Sequence, residues 1–108
     1  MTYDERLAGR VRDLLGDQVE AEKRMFGGLA FMVAGRMACC VSGQGLLVKV
    51  GRAGFPELVE LAHVEPMTMR DTVSDSWVRV GIDALQDERA LRLWVDRGLA
   101  ANPPKPGS

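Results

Sequence analysis

Histidine, paired cysteine and long apolar runs are all scarce in this chain. His63 is the single histidine among 108 residues. Sites built on two histidines, such as the His-Glu-x-x-His zinc site, are therefore excluded. The only cysteines, Cys39 and Cys40, are adjacent, which does not make a disulfide framework. No apolar run approaches the ~20 residues of a membrane span. Met1 to Glu5 lack the basic stretch and apolar run of a secretory signal, so a cytoplasmic location is expected. An excess of one charge is lacking too, since the formal net charge is -1. The part up to Phe55 is mildly basic and the rest mildly acidic. That asymmetry is too small to drive nucleic-acid or membrane binding by long-range electrostatics.

What is present fits one soluble domain. Hydrophobic residues are 46% and charged residues 27%, a globular balance with enough apolar surface for one core. We expect a single domain over residues 1–102. The Pro-rich tail 103–108 is expected to be disordered.

The pattern opens with a helix. Thr2 and Glu5 have capping-box spacing, and Tyr3, Leu7, Val11, Leu14 and Leu15 recur at three- and four-residue steps. Gly16 is a natural stop. A weak alternation over Val19 to Met25 then precedes three apolar segments, Leu29 to Val33, Met37 to Val41 and Leu46 to Val50. Ala34-Gly35 and Ser42 to Gly45 read as tight turns, so these segments form an antiparallel meander. A short helix is expected from Pro56, with Phe55, Leu58, Leu61 and Ala62 on one face. Val64 to Met69 reads as a strand that Pro66 confines to an edge or a bulge. Trp77 to Ile82 reads as a further strand, with Val78, Val80 and Ile82 facing one way and Trp77 and Arg79 the other. Asp87 and Glu88 suit the first turn of a last helix with the stripe Leu91, Trp94, Val95 and Leu99. The expected fold is α+β: two layers, with an antiparallel sheet of about five or six strands and helices packed on one face. Leu7, Val11, Leu14, Leu91, Trp94 and Val95 are expected in the core.

Chemistry-bearing residues are few. On a strand, Cys39 and Cys40 point to opposite faces, so one thiol is expected in the core and the other toward solvent or a partner. His63 is expected on the surface at the end of the short helix. Gly27-Gly28 and Gly43-Gln44-Gly45 lack the residues that complete a phosphate cradle or a dinucleotide site. No carboxylate pair is singled out for acid-base work. No catalytic residue, metal ligand or cofactor site is predicted, and the chain is read as a non-enzyme. Met25, Met32, Met37, Met67 and Met69 are read as core packing, with an exposed sheet face or edge as the alternative.

The run Lys23-Arg24-Met25-Phe26-Gly27-Gly28-Leu29-Ala30-Phe31 resembles the opening motif of the TfoX/Sxy N-terminal domain family. Gly35-Arg36-Met37, Leu46 to Val50, Trp77-Val78 and Leu91 to Val95 follow in the family's order. The likeness runs from about Tyr3 to Ala101. It implies a two-layer α+β fold. It also implies regulators of DNA-uptake competence that act with a transcription activator rather than as enzymes. Those regulators carry a second, C-terminal domain, so the chain is read as a stand-alone N-terminal domain.

The function expected is a non-enzymatic regulatory or adaptor domain that binds another protein, with a transcription regulator as the partner the resemblance suggests. The binding residues expected are Lys23, Arg24, Met25, Phe26, Gly27 and Gly28, with Lys49, Trp77 and Arg79 on the outer sheet face. The alternative is a small-molecule binder or thiol enzyme using Cys39 or Cys40. Direct DNA binding is the weaker alternative. No membrane partner is expected, and a homodimer through a sheet edge or face stays open.

Overall fold

The computed structural model describes residues 3–25, 27–43, 45–69 and 71–101. Expectations on Thr2, Phe26, the Met69 side chain and the tail from 102 onward lie outside the described residues.

Helix α1 spans Glu5–Leu15 and buries Leu7, Ala8, Val11 and Leu15. Its cap is Asp4, whose Oδ1 accepts from the Leu7 backbone N–H at 2.9 Å. The Asp4 carboxylate thus sits at the positive end of the helix dipole. Tyr3 precedes the helix and makes a parallel bridge to Gly43. Gly16, at φ +55, ends the helix in a backbone region that favours glycine.

Four strands follow as a meander: β1 (Ala21–Met25), β2 (Gly28–Val33), β3 (Arg36–Ser42) and β4 (Gly45–Lys49). After helix α2 (Gly51–Leu58) come β5 (Val64–Met69), β6 (Thr72–Gly81) and helix α3 (Glu88–Ala101). The sheet order is β1-β2-β3-β4-β6-β5, and every neighbouring pair is antiparallel. The fold is α+β with a six-stranded antiparallel sheet, as the apolar periodicity predicts. Among the described residues, no helix is long and apolar enough to cross a membrane.

Two elements differ from the sequence reading. Helix α2 begins at Gly51 rather than Pro56, and Pro56 lies inside it. Phe55 and Leu58 anchor this helix by packing on the core, while Leu61 lies beyond its end and is exposed. Packing overrides the weak helix propensity of Gly51 and Gly54 here. Strand β6 begins at Thr72 rather than Trp77. Its polar first half is held by pairing with β5, through Val73 with Thr68 and Thr72 with Met69. Ile82 belongs to a short 3-10 turn, Ile82–Leu85, rather than to the strand. Pro66 lies on the edge strand β5, beside an irregularity in its register, where a missing N–H is tolerated.

The helices share one face of the sheet. The core between the layers joins Leu7, Val11 and Leu15 to Phe31, Cys39, Val41, Leu46, Val48, Val78 and Val80, and to Leu91, Trp94 and Val95. Leu14 is only partly buried. Gly98 brings α3 close to the sheet, since a Cβ there would collide with the Ala38 carbonyl oxygen.

Candidate functional site

The opposite face of the sheet carries a second apolar cluster. Ala30, Cys40, Leu47 and Met67 are buried at its centre, and Met25, Met32, Met37 and Trp77 pack around them, partly exposed. Every member lies on a strand, so among the described residues no helix covers this face. Met67 is buried, as expected, but in this second cluster rather than under the helices, whereas Met25, Met32 and Met37 are partly exposed and match the alternative of an exposed sheet face rather than core packing. The cause is strand parity: they alternate with the residues that meet the helices.

The register places this face in rows. Lys23 pairs with Ala30, Ala30 with Cys40, Cys40 with Leu47, Leu47 with Arg79, and Arg79 with Glu65. One row therefore crosses all six strands, with a cation at the β1 edge and a carboxylate at the β5 edge. Beside it run Ala21, Met32, Met37, Lys49 and Trp77. On the other side run Met25, Gly28, Ser42, Gly45 and Gly81. Gly28 has no room for a side chain, because a Cβ would collide with the Val41 carbonyl oxygen. That glycine of the family-like run is thus required by close strand contact.

Of the residues singled out from the sequence, Lys23, Met25, Lys49, Trp77 and Arg79 share this face. Arg24 does not. It stands on the helix side of β1 with Glu22, whose carboxylate is held by Arg12 of α1. Phe26 lies outside the described residues, and Gly27 sits exposed in the turn at φ +70. The Lys23 to Gly28 run is therefore split between two faces rather than presented as one strip. Glu65 was not singled out from the sequence. Placing it opposite Arg79 needs the pairing of β5 with β6, and the irregularity near Pro66 hides that pairing from simple alternation.

Arg79 is tied down, its Nη1 donating to the Ser42 carbonyl at 2.9 Å. Glu65, Lys23 and Lys49 make no ion pair among the described residues. Charged side chains thus rim an apolar middle.

Neither cysteine reaches solvent. Cys39 lies in the helix-side core and Cys40 in the outer cluster, each 0% exposed. The two thiols lie on opposite faces as expected, with Cys39 in the core, but Cys40 is enclosed in the outer cluster rather than open to solvent. Burial pushes Cys39 up to about 12, and the neighbouring Cys40 adds to this. Burial pushes Cys40 up to about 11, with Arg79 pulling the other way. The Cys40 thiol donates weakly to the Met25 carbonyl at 3.6 Å. Protonated, enclosed thiols are poor nucleophiles.

His63 is exposed in the turn before β5 at φ +65. Its carbonyl accepts from the Gly81 N–H at 2.7 Å. With Glu65, Arg79 and Gly81 it lines a shallow hollow. Among the described residues, no three His, Cys, Asp or Glu side chains gather as a metal site.

The motif order and this architecture agree with the family comparison. The model for the TfoX N-terminal domain matches residues 14–102. The chain belongs to the TfoX N-terminal domain family. No curated protein and no solved structure matches it. The TfoX N-terminal domain match begins within α1 and spans every strand. Both faces of the sheet, the helix-covered one and the methionine-lined one, thus lie within the TfoX domain.

Proposed function

We propose that this domain is a non-enzymatic regulatory adaptor that binds protein through the helix-free face of its sheet, in a process tied to transcription or competence. The family supports a regulatory role. The observation that carries the binding surface is the cluster of Met25, Met32, Met37 and Trp77 with no helix over it. Methionine suits an adaptable contact surface because it is flexible and polarizable. The rim charges of Lys23, Lys49 and Glu65 would orient a partner more than they would hold it. A second protein, of the transcription-regulator class that the resemblance suggests, is the partner proposed.

The thiol reading has less support, because both sulfurs are buried and held in the protonated form. Direct DNA binding has less support still, since the net charge is near zero.

The test compares the immobilised domain with its M32Q/M37Q variant. Both positions are partly exposed, so the glutamine ends can reach water. Native cell lysate is passed over each, and the retained proteins are identified. A protein held by the parent and lost by the variant supports the reading. Equal retention by both, with the variant folded by circular dichroism, removes this face as the binding surface.

A further inference from the structure

The cross-strand row carries more than a rim of charge. Lys23 lies on one edge strand and Glu65 on the other, in the same row and on the same helix-free face. A two-fold axis along the strands, between β3 and β4, lays β1 of one copy over β5 of the other. The same operation lays β2 over β6 and β3 over β4. Lys23 then faces Glu65 of the second copy, and Glu65 faces its Lys23. Met32 faces Trp77, a favourable sulfur-aromatic pairing. The positions of Cys40 and Leu47 lie opposite each other at the centre, where the partly exposed methionines and Trp77 around them make the contact. On the flanking row, Gly28 faces Gly81 and Ser42 faces Gly45.

We propose that the helix-free face is self-complementary, and that its occupant is a second copy of this chain in a two-fold, sheet-on-sheet dimer. This rests on reading that face as protein-binding and adds a second copy as an occupant that competes with the other protein. The charge pattern favours a second copy. The two edge-strand charges, Lys23 and Glu65, lack an ion pair among the described residues, whereas Lys49 on β4 faces Met37 in this arrangement. Turned over onto itself, the face gives Lys23 a carboxylate, and gives Glu65, whose cross-strand neighbour Arg79 is engaged with Ser42, a cation. Aligned sheets pack at roughly 30°, which offsets the rim pairs by ~6 Å across a face this wide. Lysine and glutamate side chains span that offset.

The size of the face sets the strength. Six strands ~4.8 Å apart and three rows ~7 Å apart give ~500 Å² per copy. A dimer would then bury on the order of 1,000 Å², the lower bound for a specific interface. The dimer is accordingly concentration-dependent. Self-association and capture of another protein compete for one surface.

The test is sedimentation equilibrium over a wide concentration range. The samples are the parent, K23E, E65K and an equimolar mixture of the two variants. Both positions are exposed, so folding is expected to be unaffected. The parent should dimerise reversibly. Each single variant should dimerise about tenfold more weakly, since two rim pairs become like-charged. The mixture should recover dimer, because both rim pairs are again opposite in sign between one K23E chain and one E65K chain. A parent that stays monomeric overturns the proposal, and lysate capture still judges the protein-binding reading separately. A dimer indifferent to the variants, with no recovery on mixing, also overturns it and moves the interface elsewhere.

Discussion

Arg12 of α1 grips Glu22 of β1, its Nη2 donating to the carboxylate Oε1 at 2.7 Å while Nε holds the other oxygen. The same guanidinium lies 5.9 Å from the centre of the Phe31 ring. One side chain thus ties the first helix to the edge strand and to the core. The hydrogen bonds from Arg12 hold Glu22 below the usual carboxylate range, and Arg12 is raised in turn. A lowered carboxylate contributes stability above its unfolded value, lost as pH falls through the folded one. The pair is partly solvated, so its worth is about 0.5–1 kcal/mol. Glu22→Gln should lower stability by about that amount at pH 7 and flatten the loss below pH ~4.5. Urea melts at several pH values check this.

Two helical glycines should respond oppositely to the same change. A Cβ at Gly9 meets nothing within 4 Å, so Gly9→Ala should stabilise the domain by about 0.5–1 kcal/mol through helix propensity. A Cβ at Gly98 collides with the Ala38 carbonyl. Gly98→Ala should destabilise by about 1–3 kcal/mol as α3 is pushed off the sheet. Denaturant midpoints of the two variants give the comparison, and equal effects would contradict the close approach of α3.

Ala34 stands at φ +53 beside Gly35 at φ +79 in the β2–β3 turn. Paired positive φ values are the pattern of a type I′ hairpin turn, which prefers Asn or Gly at its first central position. Glu20 reinforces the turn by accepting from the Gly35 N–H at 2.8 Å. Ala34→Gly should relieve the left-handed strain, worth about 1–2 kcal/mol, and lose part of that gain to unfolded-state entropy. A rise in thermal midpoint is the expected result.

The thiols set the alkaline behaviour. Both are raised in the folded state, to about 12 and about 11. Stability from a raised group is full below the unfolded value and is lost as pH rises toward the folded one. Stability should therefore fall from about pH 9 upward, and a C39V/C40A variant should fall less steeply. A thiol reagent at pH 8 should react with native protein only as fast as it opens. Rapid modification of either cysteine would revive the thiol-enzyme reading.

Much of the fold was legible because its signals are local. The meander from Gly28 to Lys49 follows apolar runs and glycine turns, and the stripe Leu91, Trp94 and Val95 follows helical spacing. Thr72 to Ser76 was not legible, because its strand character comes from a partner across the sheet rather than from its own polar residues. The candidate face was half legible. Strand parity puts Trp77 and Arg79 together on one side, and the same rule separates Arg24 from Lys23. Glu65 stayed hidden, since Pro66 and the register irregularity beside it break the count. Residue type alone does not say which side of a sheet the helices choose, so the sequence does not separate Met25, Met32 and Met37 from the core.

The strand order has a kinetic side. Strands β1 to β4 pair with their chain neighbours, and so do β5 and β6. Among the strand pairs, the seam between β4 and β6 alone joins distant segments, along a ladder from Gly45–Gly81 to Lys49–Trp77. Two hairpin-built halves can each zip early at little loop-closure cost, whereas the seam must close over α2 and β5. Docking of the two halves is then the entropic bottleneck in forming this domain. The outer row from Lys23 to Glu65 becomes continuous only when that last seam has shut.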